Sequence, residues 1–104
     1  MATDDETLTA LREAGSDLSS PHVVAFYLYV PTEREASQAA TVLTHDGFQT
    51  VTRPAALSAG RLCLASCALV PSLTNILGAR ARFEHLARDL GGEFDGWEAQ
   101  VTRP

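Results

Sequence analysis

The sequence predicts an α+β fold built on an antiparallel sheet, on three observations. Apolar residues fill Val23–Val30 and dominate Arg61–Val70, runs of the β-branched and aromatic kind that form strands. Around these runs lie segments whose apolar residues recur every three or four positions, opened by a capping residue and closed by Gly, as amphipathic helices are. The chain has 104 residues, 45% of them hydrophobic. That suits one folded domain over residues 1–104 and excludes a two-domain layout or a disordered chain.

Taken in order, Thr3-Asp4-Asp5-Glu6 is a capping-box pattern, and its acidic residues suit the positive end of a helix dipole. Leu8 and Leu11 give that helix an apolar stripe, and Gly15 ends it, so it runs from about Asp4 to Ala14. Ser16-Asp17-Leu18-Ser19-Ser20-Pro21 is a loop of residues that bond their own backbone. His22–Val30 is the clearest strand. Val24, Phe26, Leu28 and Val30 share one face, and Val23, Ala25, Tyr27 and Tyr29 the other. Neither face is polar, so a central place in the sheet follows. Pro31 ends the strand, and Thr32-Glu33-Arg34-Glu35 repeats the capping box before a helix whose stripe is Ala36, Ala39, Ala40 and Leu43 and whose stop is Gly47.

Phe48–Arg53 is a short strand, Pro54–Gly60 a small-residue connection, and Arg61–Val70 the strand that completes a hairpin. Pro71 and Ser72 open the longest helix, in which Ile76, Arg80, Phe83, Ala87 and Leu90 step by threes and fours with Leu77 and Leu86 beside them. Arg80 interrupts this stripe and is expected to snorkel at its edge. Gly91-Gly92 ends the helix and Glu93–Val101 forms the last strand, where a bulge at Asp95-Gly96 would bring Phe94 and Trp97 to the same side. The order is a helix followed by β-α-β-β-α-β, the split βαβ arrangement of a ferredoxin-like sheet with helices on one face. The tetrapeptide Val-Thr-Arg-Pro occurs at residues 51–54 and 101–104 and is too short to define a repeat.

Charge and cysteine usage narrow the function. Thirteen acidic residues against eight basic ones, all Arg, leave a net charge of −5. This argues against a protein that tracks phosphates and makes direct nucleic-acid binding an unfavoured reading. Cys63 and Cys67 would lie about 13 Å apart along a strand, too far for a disulfide. They read as reduced, buried residues sharing one strand face, as suits a cytoplasmic protein. No run is long enough for a membrane span, and the acidic start differs from a signal peptide. His22, His45 and His85 lack metal-ligand spacing, the glycines are punctuation rather than a phosphate loop, and no nucleophile elbow is present. No enzyme, cofactor or metal is expected.

Two features remain as candidate sites. Tyr27 and Tyr29 stand on a central strand, where RNA-recognition modules stack bases, although the strand at Arg61–Val70 has no aromatic residue. Glu93-Phe94-Asp95-Gly96-Trp97-Glu98 sets the only Trp among acidic groups. There Trp97 either closes the core or anchors a basic partner segment.

At this motif the chain resembles the regulator of ribonuclease activity B family. The resemblance runs from about Thr7 to Val101 and rests most specifically on Gly15-Ser16-Asp17 and Glu93-Phe94-Asp95-Gly96-Trp97, with Phe26–Thr32, Gly47-Phe48 and Leu62-Cys63 between them. It implies a ferredoxin-like α/β domain that binds ribonuclease E and restrains its cleavage of RNA without catalysing a reaction. The long acidic segments familiar in the enterobacterial member are absent from these residues, and the Lys-free, Ala/Arg-rich composition suggests a bacterium with GC-rich DNA. The expected protein-binding residues are Asp17, Tyr27, Tyr29, Asp95, Trp97 and Glu98. A single-stranded RNA-binding module and a dimeric small-ligand sensor are the alternative readings.

Overall fold

The structure, a computed structural model, describes residues 3–56 and 59–101. Leu57 and Ser58 of the hairpin connection and Thr102–Pro104 of the second Val-Thr-Arg-Pro copy lie outside these. Three helices and four strands follow in the order α1 (Asp4–Glu13), β1 (His22–Val30), α2 (Glu33–His45), β2 (Gln49–Pro54), β3 (Arg61–Leu69), α3 (Leu73–Leu90) and β4 (Glu93–Ala99). The strands form one antiparallel sheet ordered β2-β3-β1-β4, which leaves β2 and β4 at its edges.

The registers assign side chains to faces. Val24, Phe26 and Leu28 of β1 stand opposite Cys67, Ala65 and Cys63 of β3. On this face Val24, Phe26, Leu28, Cys63 and Ala65 join Ala36, Ala39 and Leu43 of α2 and Ile76, Phe83 and Ala87 of α3 in one buried cluster. Its centre is aromatic: Phe26 and Phe83 stack at 4.7 Å, and Phe48 meets both rings edge-on. Phe48, expected at the start of β2, instead turns inward just before that strand begins. Leu77, expected beside the α3 stripe, is 48% exposed.

Two helix starts behave differently. Thr3 caps α1 as expected, its hydroxyl accepting from the Glu6 backbone N–H at 3.1 Å. Thr32 makes no such bond to the α2 backbone, because its hydroxyl donates to the Glu35 carboxylate instead. The α3 end is closed by Gly91 in the left-handed region, with the Gly92 N–H donating to the Ala87 carbonyl at 2.8 Å. Gly92 lies against β1 so closely that a Cβ there would sit 2.1 Å from the Tyr29 carbonyl oxygen.

The register between β1 and β4 shifts by one residue, since Phe26 faces Trp97 while Leu28 faces Phe94. Gly96, at a φ of +107°, sits inside this bulge. Phe94 and Trp97 therefore both pack on the helix-covered side. Cys63 and Cys67 are unbridged on that same face, Cys63 buried as expected and Cys67 only half-buried, and burial pushes both thiols up, which disfavours thiolate chemistry. No described helix is long and apolar enough to cross a membrane.

Candidate functional site

The bulge does more than turn Trp97 inward. By alternation it leaves Asp95 and Glu98 on the uncovered side, beside Tyr27 of β1, and the Tyr27 hydroxyl donates to the Glu98 carboxylate. That bond, with a smaller contribution from burial, pushes the Tyr27 phenol up to about 12, because ionising it would set an anion beside a carboxylate.

On the inner side, Trp97 Nε1 donates to Asp4 Oδ1 at 2.9 Å, and Arg80 grips the same carboxylate through Nε at 2.9 Å and Nη2 at 2.8 Å. The Arg80 bonds hold the Asp4 carboxyl below the ordinary aspartate range, with Trp97 adding to them and burial opposing. The Arg80 guanidinium also lies 5.3 Å from the centre of the Phe94 ring. Asp4 thus ties α1 to both α3 and β4. An open pocket of about 320 Å³ follows the β4 edge between these two groups of residues, lined by Asp4, Tyr27, Arg80, Asp95, Trp97 and Glu98 among others.

Of the six residues singled out from the sequence, Tyr27, Asp95, Trp97 and Glu98 meet at this pocket. Tyr29 stands on the same uncovered face, opposite Glu93 of β4 and Leu62 of β3. Asp17 is elsewhere, in the loop before β1. Its carboxylate accepts from the Ser19 backbone N–H at 3.0 Å and from the Ser19 and Ser20 hydroxyls at 2.6 and 2.9 Å, bonds that lower its pKa and fix the turn.

Asp4 and Arg80 were not foreseen as partners. Asp4 sits in a pattern that capping alone accounts for, and the one available signal was an Arg placed on the apolar stripe of α3. Chemically the pocket offers the Asp95 and Glu98 carboxylates, a phenol and an indole edge beside an Asp4 carboxylate already paired with Arg80, so a cationic partner group would be met at the Asp95–Glu98 side. Among the described residues no cluster of His, Cys, Asp or Glu has the make-up to hold a metal ion.

The family model described as regulator of ribonuclease activity B, RraB, matches residues 2–99. The chain belongs to the RraB family. Its two most specific segments, around Asp17 and around Trp97, both fall inside that span, as do the residues lining the β4-edge pocket. A search of the curated proteins found no match to this RraB-family chain. The family is one of regulators of ribonuclease activity.

Proposed function

We propose that this chain is a non-enzymatic, cytoplasmic regulator that binds a ribonuclease directly, ribonuclease E by the family resemblance, and slows its cleavage of RNA. The observation that carries the reading is the match to a family of ribonuclease regulators over residues 2–99. The chemistry of the β4 edge supports it. Asp95 and Glu98 stand beside Tyr27 and Trp97, so an Arg or Lys of a partner would meet carboxylates for charge pairing and aromatic surface for cation–π contact. The chain order β-α-β-β-α-β after α1 supports reading the domain as a split βαβ sheet of the ferredoxin-like kind.

The test is co-purification from the native bacterium followed by binding and cleavage assays with the purified ribonuclease. Recovery of the ribonuclease and slower RNA cleavage in the presence of the chain are expected. Purified protein that neither binds nor slows the cognate enzyme rules the reading out. At residue level, Asp95→Ala is expected to weaken binding while leaving the melting temperature unchanged, and Glu98→Ala to weaken binding with only the small stability loss of the Tyr27 bond. Parallel loss of both properties would assign these residues to stability instead.

A further inference from the structure

The sheet has a second face that none of the described helices covers. Both α2 and α3 contribute to the core cluster on one side, whereas Val23, Ala25, Tyr27 and Tyr29 of β1 and Leu64 and Val51 from β3 and β2 point to the other, where Leu62, in register with Tyr29 and Arg53, is itself buried and Ser66 and Gln49 add polar groups. Val23 of β1 and Val51 of β2 are 54% and 56% exposed. Its charges are unevenly placed. Glu93, opposite Tyr29, and Glu98, opposite Ala25, line the β4 side with Asp95 between them, while Arg53 of β2 is the cation at the other side. Glu93 and Asp95 make no ion pair among the described residues.

We propose that this open face is a docking surface for an amphipathic helix of a protein partner, with Arg or Lys along the flank that meets β4. The proposal rests on the protein-binding reading above and names the shape and chemistry of the partner segment. A helix is the element that fits for a reason of backbone chemistry. β1 and β3 are each paired on both sides, so the centre of the face offers side chains but no ladder positions. An extended segment laid across it would bury unsatisfied N–H and C=O groups, whereas a helix satisfies its own. The flank must be basic because the carboxylates lie on one side of the apolar strip. The same charges disfavour a second copy: apposed sheets would bring two such acidic rims together with Arg53 to balance them, at −5 per chain. They disfavour RNA for the same reason.

The test uses an 18-residue synthetic amphipathic helix with a Leu stripe and an Arg flank, titrated against the whole chain, with a Glu-flanked peptide and a Pro-interrupted peptide of the same composition as controls. We expect salt-sensitive binding of the Arg-flanked helix alone, weakened about tenfold in Tyr29→Ser/Val51→Thr and in Glu93→Gln/Asp95→Asn. Equal binding of both variants, or of the Pro-interrupted peptide, overturns the proposal. So does concentration-dependent dimerisation lost in the Tyr29→Ser/Val51→Thr variant, or single-stranded RNA binding lost in Tyr27→Ala. Full-length ribonuclease separates this proposal from the reading it rests on. Ribonuclease that binds wild type and Tyr29→Ser/Val51→Thr equally leaves the regulator reading standing and sinks the helix dock; ribonuclease that binds neither sinks the regulator reading, while the peptide result still decides the face.

Discussion

The two faces of the sheet carry similar side chains and meet different fates. Along β1, Val24, Phe26 and Leu28 are wholly buried, while the interleaved Val23, Ala25, Tyr27 and Tyr29 remain at least partly exposed. Apolar character does not separate the two sets; the supply of helices does. α2 and α3 lie on the same side, and α1 packs against α3 instead of crossing to the bare side. A strand that is apolar on both faces is therefore a statement about what should be covered, and the described helices cover one side of it. The energetic consequence is an asymmetry: substitutions on the inner face should unfold the protein, and substitutions on the outer face should leave it folded.

The largest effects are expected inside. Phe26→Ala would remove the ring that stacks on Phe83 at zero exposure and should destabilise the fold by about 3–5 kcal/mol, read by denaturant unfolding. Gly92→Ala comes next. Its Cβ would fall 2.1 Å from a β1 carbonyl oxygen, so backbone must move, at a cost of about 3 kcal/mol. A Gly92→Ala variant that melts with wild type would mean that α3 can slide on β1 without penalty.

The Asp4 junction lies between the two faces in position and in expected effect. Asp4→Asn keeps the shape and removes the charge that Arg80 and Trp97 share, and should cost about 1–3 kcal/mol. The pH dependence has a definite sign. The folded-state pKa of Asp4 lies below its ordinary 3.8, so its stabilisation is complete above that value and is lost as pH falls toward the folded pKa. Acid unfolding of Asp4→Asn should therefore be shallower than that of wild type below about pH 4. Identical acid limbs would show that the pair adds nothing to stability.

Tyr27 provides a milder probe of the outer face. Its phenol is raised to about 12, chiefly by the Glu98 bond, so the neutral form is favoured in the fold and that contribution fades as pH rises from 10 through about 12. Glu98→Gln should bring the Tyr27 titration, followed by NMR, back toward 10. The smallest effect is expected at Tyr29→Ser/Val51→Thr, within about 0.5 kcal/mol of wild type for each substitution. A large loss there would mean that the outer face contributes to the core after all.

Much of this architecture was legible in the sequence because it is written in local periodicity. The bounds of β1 follow from an uninterrupted apolar run ended by Pro31, and the bulge at Gly96 follows from the need to turn Phe94 and Trp97 the same way. Asp4–Arg80 and Asp4–Trp97 were illegible because their partners are 76 and 93 residues apart, and nothing local marks one carboxylate of an acidic first turn as the buried one. The bare face was legible through the chain order alone, since β-α-β-β-α-β puts its helices on one side of the sheet. Local alternation on both sides of β1 signals burial on both, and what the sequence left open was the place of α1, which packs on α3. Asp17 illustrates the reverse case: its loop composition alone announced the turn-forming role that its hydrogen bonds fulfil.

Hydroxyl-radical footprinting with and without the cognate ribonuclease tests the central contrast most directly, since it reads side-chain accessibility on both faces in one sample. The ribonuclease is expected to protect Tyr27, Tyr29 and Val51 on the outer face and to leave Leu77, exposed on α3, labelled as before. Protection of Leu77 with unchanged labelling of Tyr29 and Val51 would contradict this, placing the partner on the helical side and leaving the bare sheet without a role in binding.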